Sequence, residues 1–361
     1  MKKNVITFLL VLVFVVCPFA APSMAAIETP TVDAAIVFFM PVGSSSNPFV
    51  HMAEIGIMAG SSLFPGLKIA RVYPYSDEYI NEYIKFTASR GRHYIVGIGS
   101  YYGDAFDKVA DSFPNINFIV IDGKSSKKNV KSLVFNNYEA GYLAGVVAAQ
   151  VTSTGRIGFI GGKETQVIYD FEKGFKDAAK NVSKDINVIS KFISKDNDGY
   201  SNEKAGFEIA SEMYKSGADI LFAAAGSSGL GSIDAARASR KMIIGVDTDQ
   251  DGIAKGLVVT SVIKRLDAAI VNLMQDIATG KYSSDEIVYN VGNVGFTLSS
   301  FSFTRDRIGK KKMDRIFDMI FDVKKKYDNS DVSKAGSREG EDSKREGKKE
   351  KDYEPGRSFR K

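Results

Sequence analysis

Ten short apolar runs, separated by helix-patterned stretches, constrain the fold of this chain more than any other feature. They are AAIVFFM (34–40), LKIARVY (67–73), YIVGIG (94–99), INFIVID (116–122), SLVF (132–135), RIGFIGG (156–162), NVISKFI (187–193), DILFAAAG (219–226), MIIGVD (242–247) and LVVTSVIK (257–264). Most are continuous rather than alternating, the pattern of strands buried on both faces and hence of parallel sheets. Parallel neighbours need crossovers, and helical periodicity fills the gaps. YEAGYLAGVVAAQ (138–150) puts Tyr138, Tyr142, Gly145 and Ala149 along one face, with small residues that permit close packing. NEKAGFEIASEMYKSG (202–217) sets Phe207, Ala210, Met213 and Tyr214 on one stripe and stops at Gly217. RLDAAIVNLMQDIATG (265–280) does the same with Ala269, Leu273, Met274 and Ile277 and stops at Gly280. The alternation predicts an α/β fold. Ten strands exceed one comfortable doubly wound sheet, so two lobes are expected, dividing near Phe135.

A chain of 361 residues is long enough for two such cores, and its 44% apolar and 25% charged residues are average for a soluble globular protein. The formal net charge is +5, but much of the Lys and Arg falls in the last forty residues. The body therefore lacks the basic stripe that nucleic-acid binding needs. The segment 324–361 is nearly free of aliphatic residues and mixes both charges. It cannot bury enough apolar surface to fold alone and is expected to be a disordered tail.

The first residues, MKKNVITFLLVLVFVVCPFAAPSMAA, place Lys2 and Lys3 before an apolar run from Val5 to Val16. That run is too short to span a bilayer, and its flanks fit a secretory signal over residues 1–25, with cleavage after Ala25. The alternative is lipid anchoring through Cys17, although Val16 is bulky where a lipoprotein signal has a small residue. Either route exports the protein to the periplasm or the outer face of the membrane. Cys17 is the one cysteine, so the mature chain forms no disulfide. With His51 and His93 the two histidines, no Cys/His metal site is expected, nor any cofactor.

Ligands of open parallel sheets bind beyond the carboxyl ends of the strands. Asp122, Gly226, Asp247 and Lys264 all stand at such ends. A carboxylate there can accept two hydroxyl hydrogen bonds, which suits a vicinal diol such as ribose. The competing reading is that a strand-end Asp caps the next helix. Gly-rich GSSGLGS (226–232) lacks Gly-Lys-Ser/Thr, and GFIGG (158–162) is too short for a nucleotide fingerprint. Each reads as a tight turn bringing backbone close to a ligand or a neighbouring helix. No Gly-x-Ser-x-Gly elbow with a usable His, and no His pair, gives an enzyme constellation.

FNNYEAGYLAG, STGRIGFIGG, GSSGLGSIDAA, GVDTDQ and VVTSVIK occur in this order between residues 135 and 264. With them the chain resembles the basic membrane protein family, purine-nucleoside-binding proteins of ABC importers, from about Thr31 to Phe301. The resemblance implies a type I periplasmic-binding fold, two α/β lobes joined by three crossovers that close on ligand. It assigns residues 30–135 and about 265–290 to lobe 1, and 136–264 and about 291–323 to lobe 2. It also implies an ABC permease as partner. By the same resemblance Asp247 and Lys264 bind the ribose, Asp122 is a further acid of the site, and Gly226 belongs to the pocket's backbone wall. Phe49 and Tyr200 sandwich the base, and Tyr102 aligns with another pocket-side aromatic.

The first motif departs from the family. Where the family has Asp-Asp-Lys-Ser-Phe-Asn, this chain has SSNPFV (45–50), so the base-reading Asp becomes Ser46 and the Asn becomes Val50. Such losses matter where a site hydrogen-bonds a ring edge. Ser44, Ser45, Ser46 and Asn47 remain as a short polar loop able to meet that edge. A nucleoside is the expected ligand. Riboflavin, a wider ring with a ribityl chain that some relatives bind, is the alternative. An exported protein-interaction module and a nucleoside hydrolase are the rival classes.

Overall fold

The structure, a computed structural model, describes residues 34–41 and 46–326. The segment read as a signal peptide, with Cys17, the serines at 44 and 45, and the segment beyond residue 326 read as a tail lie outside the described residues. Residues 324–326, read as the start of the tail, form the last turn of a helix.

The strands are β1 (Ala35–Phe39), β2 (Lys68–Val72), β3 (Tyr94–Ile98), β4 (Asn117–Ile121), β5 (Val130–Phe135), β6 (Arg156–Lys163), β7 (Asn187–Ser194), β8 (Ile220–Ala224), β9 (Met242–Asp247), β10 (Val258–Lys264), β11 (Ile287–Tyr289) and β12 (Phe296–Leu298). Between them run α1 (Pro48–Leu63), α2 (Ile80–Ser89), α3 (Tyr101–Val109), α4 (Asn137–Val151), α5 (Gln166–Val182), α6 (Glu203–Lys215), α7 (Ser228–Ser239) and α8 (Leu266–Ala278). They are followed by α9 (Arg305–Ile308) and a helix over 310–326, α10.

Two six-stranded sheets result, ordered β2-β1-β3-β4-β5-β11 and β7-β6-β8-β9-β10-β12. The first is parallel throughout. The second is parallel except at β12, which runs antiparallel to β10. The α/β expectation is met, and central strands such as β4 and β8 are buried almost end to end. The edge strands differ. β2 (KIARV) is mostly exposed and β7 (NVISKFIS) largely half-exposed, and their lysines and arginine discourage pairing with another chain. β11 and β12, three residues each, carry no pattern long enough to read in sequence.

The helix stripes follow the periodicity with one correction. Ala210, Met213 and Tyr214 of α6 are buried, but Phe207 is 38% exposed and Gly206 takes its place on the packed face. A Cβ at Gly206 would stand 1.9 Å from the Ser228 carbonyl oxygen, so α6 and α7 approach too closely for any side chain there. The same device joins α4 to α5, where a Cβ at Gly174 would lie 1.9 Å from the Tyr138 carbonyl oxygen. Close backbone approach of this kind tolerates no added methyl without displacement of the pair.

The chain passes between the sheets three times, after β5, after β10 and after β11. These passages are tied together. Asn136 N–H donates to Tyr289 O at 2.8 Å, and Arg265 N–H donates to Gly295 O at 3.0 Å. Glu139 accepts from Val291 N–H at 2.8 Å. Burial pushes the Glu139 carboxyl up to about 7, against the pull of that N–H.

Candidate functional site

A cavity of about 110 Å³ opens between the carboxyl ends of the two sheets. Sheet one contributes Asp122, which follows β4, and Tyr101 at the start of α3. Sheet two contributes Gly226 after β8, Asp247 at the end of β9 and Lys264 at the end of β10. Asp122 and Asp247 both adopt the left-handed conformation, with φ of 64° and 68°. Asp tolerates that region better than most side chains, though still at a cost of order 1 kcal/mol. Each chain reversal swings a carboxylate off its strand and into the cavity.

Lys264 reaches across from sheet two. Its ammonium donates to Asp122 Oδ2 at 2.5 Å, with the two side chains 2% and 7% exposed. Asn137, at the start of α4, donates to the other oxygen, Oδ1, at 3.1 Å. Four phenylalanine rings surround the ammonium, Phe49 at 5.4 Å, Phe135 at 5.3 Å, Phe171 at 5.4 Å and Phe296 at 5.9 Å. A cation so desolvated is held by ring faces as well as by its counter-ion. Asp122 is thus occupied at both oxygens.

Asp247 is not. It is 7% exposed, and among the described residues none donates a hydrogen bond to its carboxylate. Burial pushes its carboxyl up to about 6, with the Lys264 ammonium pulling down and the Asp122 charge pushing up. The acids after β9 divide the remaining work. Asp249 is exposed and accepts from Asp251 N–H at 3.0 Å, closing the turn. Gln250 folds back under the strand, where its Oε1 accepts from Val246 N–H at 3.2 Å and its N–H donates to Ser261 Oγ at 3.0 Å. Asp251 accepts from Ser261 Oγ at 2.9 Å and Ser299 Oγ at 2.8 Å. This network fixes the turn that aims Asp247. Gly245 leaves room for it, since a Cβ there would stand 2.4 Å from Gln250 Oε1.

The aromatic walls come from both lobes. Phe49 lies in the first turn of α1, whose Pro48 fixes the helix start and whose cap is Asn47. The Asn47 Oδ1 accepts from Phe49 N–H at 3.0 Å. Tyr200 sits in the loop after β7, and the serines after Gly226 hold that loop. Ser227 N–H donates to Tyr200 O at 3.0 Å, and Ser228 Oγ donates to Gly199 O at 2.8 Å. Gly162 of β6 lets the Tyr200 ring lie on the strand, because a Cβ there would meet it at 2.5 Å. Gly226 itself has φ 55°, and a Cβ on it would meet Asn47 Nδ2 and Tyr200 O, each at 2.8 Å. The glycine-rich turn therefore brings α7 against α6 and the pocket wall against Asn47 of the opposite lobe. Burial pushes the Tyr200 hydroxyl up to about 12.

Seven residues singled out in the sequence line this one cavity: Phe49, Tyr200, Asp122, Asp247, Lys264, Gly226 and Asn47. Two do not. Ser46 is exposed, one residue before the cap, and does not line the cavity. Tyr102 is fully buried in the lobe-one core against Phe39 and Phe106, and its hydroxyl donates to Met40 O at 2.8 Å. Its neighbour Tyr101 lines the cavity instead. One position of helical phase separates them, and no pattern in YYGDAF reveals which tyrosine turns inward. Asp77, Ser100, Val167, Ile168 and Phe171 also line the cavity without any signal in sequence.

Comparison with known proteins places these features. Residues 35–337 match the family described as Bmp, ABC transporter substrate-binding protein PnrA-like. The chain is 34% identical over 249 residues to the ABC transporter nucleoside-binding protein BmpA of Lactococcus lactis, spanning 63% of this chain and 70% of that one. It is 35% identical over 185 residues to Basic membrane protein D of Borreliella burgdorferi, spanning 50% of this chain and about half, 53%, of that relative. Among solved structures, an ABC transporter solute-binding protein from Aeropyrum pernix superposes with a TM-score of 0.73 at 18% identity, covering 82% of this chain and 92% of that one. The fold is the type I periplasmic-binding-protein fold. No described helix is long and apolar enough to cross a membrane.

Proposed function

The chain belongs to the Bmp family of PnrA-like ABC transporter substrate-binding proteins, and we propose that it captures a purine nucleoside outside the cell membrane for an ABC permease, without turning it over. The observation that carries this reading is Asp247, a buried carboxylate aimed into a cavity between two lobes with no described residue donating to it. A ribose 2′,3′-diol supplies two hydroxyl donors to such a group. The Lys264 ammonium beside it offsets the carboxylate charge and donates to a hydroxyl oxygen. Phe49 and Tyr200 supply faces for a planar ring, each worth roughly 1–3 kcal/mol of stacking. The nucleoside-binding name of the lactococcal relative agrees with this chemistry. The lobe assignment drawn from the family, with the passages after β5, β10 and β11 as the hinge, accounts for closure around the ligand.

Thermal shift with adenosine, guanosine, inosine, uridine and riboflavin is the test. Purine nucleosides are expected to raise the melting temperature, since a ligand that binds only the folded state stabilises it. Tyr200→Phe should behave as wild type because the stacking face is kept, whereas Tyr200→Ala should lose roughly 1–3 kcal/mol of binding. A response to riboflavin alone would replace the ligand, and no response to any flat ring would remove the reading.

Binding should also depend on pH through Asp247. Hydroxyl donors favour its ionised form, so affinity is full well above pH 6 and falls as the pH drops through it. With the carboxyl near 6, the dissociation constant at pH 5 should be roughly tenfold weaker than at pH 7. The ligand-free protein slopes the other way. A carboxyl raised on folding contributes stability below its unfolded pKa and loses it as pH rises through about 6. Calorimetry from pH 5 to 8 checks the first slope, and a flat dissociation constant would exclude Asp247 as the acceptor.

A further inference from the structure

The last described helix, α10, packs by one face. Met313, Ile316 and Val323 are buried. The helix is fastened at the end of α4, where Gln150 Nε2 donates to Met319 Sδ at 3.7 Å and Lys312 Nζ donates to Val151 O at 3.4 Å. An amphipathic helix then presents polar side chains around the rest of its surface. Phe317 and Phe321 break that pattern. They stand one turn apart and are 43% and 66% exposed. Phe317 rests edge-on against Phe301, ring centroids 6.1 Å apart, which keeps it at the rim of an apolar groove beside β12.

Charge frames the two rings. Residues 310–326 hold seven lysines and arginines against three aspartates, and all ten are exposed. Lys310, Asp314, Phe317, Phe321 and Lys324 follow one another at steps of three and four residues, so they share one face. Lys310 and Asp314 pair with each other at 2.7 Å. Lys324, Lys325 and Lys326 close the other end of the stripe.

We propose that α10 docks this protein onto anionic lipid bilayers, with Phe317 and Phe321 entering the headgroup layer and the basic side chains meeting its charge. Phenylalanine settles at the boundary between headgroups and acyl chains. Lysine lays its apolar stem along such a surface and keeps its ammonium among the headgroups. Each basic side chain held near an anionic bilayer strengthens binding about fivefold. The convex face of a helix offers no pocket to a protein partner, whereas a fluid headgroup layer closes around it. Phe317, Phe321 and the basic residues of α10 do not line the cavity between the sheets, so docking leaves the ligand site intact.

Co-sedimentation with vesicles tests the assignment, using the chain from residue 26 onward, the form that cleavage after Ala25 would leave. Vesicles of equal phosphatidylglycerol and phosphatidylcholine should carry the protein down, and pure phosphatidylcholine should not. Phe317→Ser combined with Phe321→Ser should weaken partitioning about tenfold or more, since both rings leave the apolar layer. Changing Lys324, Lys325 and Lys326 to Gln should weaken it about fivefold for each lysine. The chain has no tryptophan, so a single one serves as a reporter. The emission of Phe321→Trp should shift to the blue on anionic vesicles, while that of Phe86→Trp, at a 59% exposed position of α2, should not. No sedimentation with anionic vesicles, partitioning that the serine pair leaves unchanged, or an equal blue shift at both positions would overturn the docking role of α10. Binding through the segment beyond residue 326 alone would give the second of these outcomes.

Discussion

Asp247→Ala is expected to weaken nucleoside binding by about two to four orders of magnitude, since two charge-assisted hydrogen bonds of roughly 1.5–3 kcal/mol each are lost. The fold should survive, because no described residue donates to this carboxylate and burial already disfavours its charge. Alanine fits the left-handed φ of 68° less well than Asp does, which offsets part of the gain from removing a desolvated acid. Asp247→Asn separates the two effects. It tolerates the same φ and keeps one acceptor, so it should recover part of the affinity. Titration calorimetry with the folded state checked by circular dichroism decides the matter, and an unchanged dissociation constant would take Asp247 out of the site.

Lys264→Met should cost the most stability of any single change in the cavity. It leaves Asp122 and Asp247 buried with no ammonium between them, although Met fills much of the space inside the phenylalanine cage. Breaking a buried pair from one side typically costs about 3–5 kcal/mol, because the remaining charge is uncompensated. In a chain of this length that corresponds to a melting-temperature drop of roughly 4–8 °C. The loss should shrink on acidification, since the stranded Asp247 carboxyl, already raised to about 6 by burial, takes up a proton and the folded state then favours the low-pH form. The double variant Asp122→Asn with Lys264→Met removes one stranded charge and should regain part of the loss. A melting temperature equal to wild type at pH 7 would show that the ion pair and the cage contribute nothing net.

The parallel sheets were legible because burial on both faces leaves unbroken apolar runs, as in INFIVID and DILFAAAG. The strand-end groups Asp122, Gly226, Asp247 and Lys264 were legible for a related reason: a polar residue terminating such a run has few places to go except the carboxyl edge of the sheet. The edge strands β2 and β7 read as buried because composition cannot show which strand lacks a neighbour on one side. Phe207 of α6 read as core because periodicity counts apolar residues and not backbone spacing. The helix turned Gly206 inward where Ser228 left no room for a side chain.

The sequence by itself determined the strand–helix alternation, the family, and the polar and aromatic groups it offers to a ligand. Tertiary structure decided which of them meet and with what partners. Only there does Lys264 find Asp122, 142 residues away, and four phenylalanines from separate elements around it. Only there does Tyr101 rather than Tyr102 face the cavity, and Asp77 enter it while Ser46 stays outside. The physical reason is that sequence pattern reports each residue's side of its own element. A binding site is made by the approach of elements distant in the chain, and that approach is fixed by close packing at positions such as Gly206 and Gly174, where the neighbouring backbone sets the distance, and Gly226, which meets both the Tyr200 carbonyl and the Asn47 side chain.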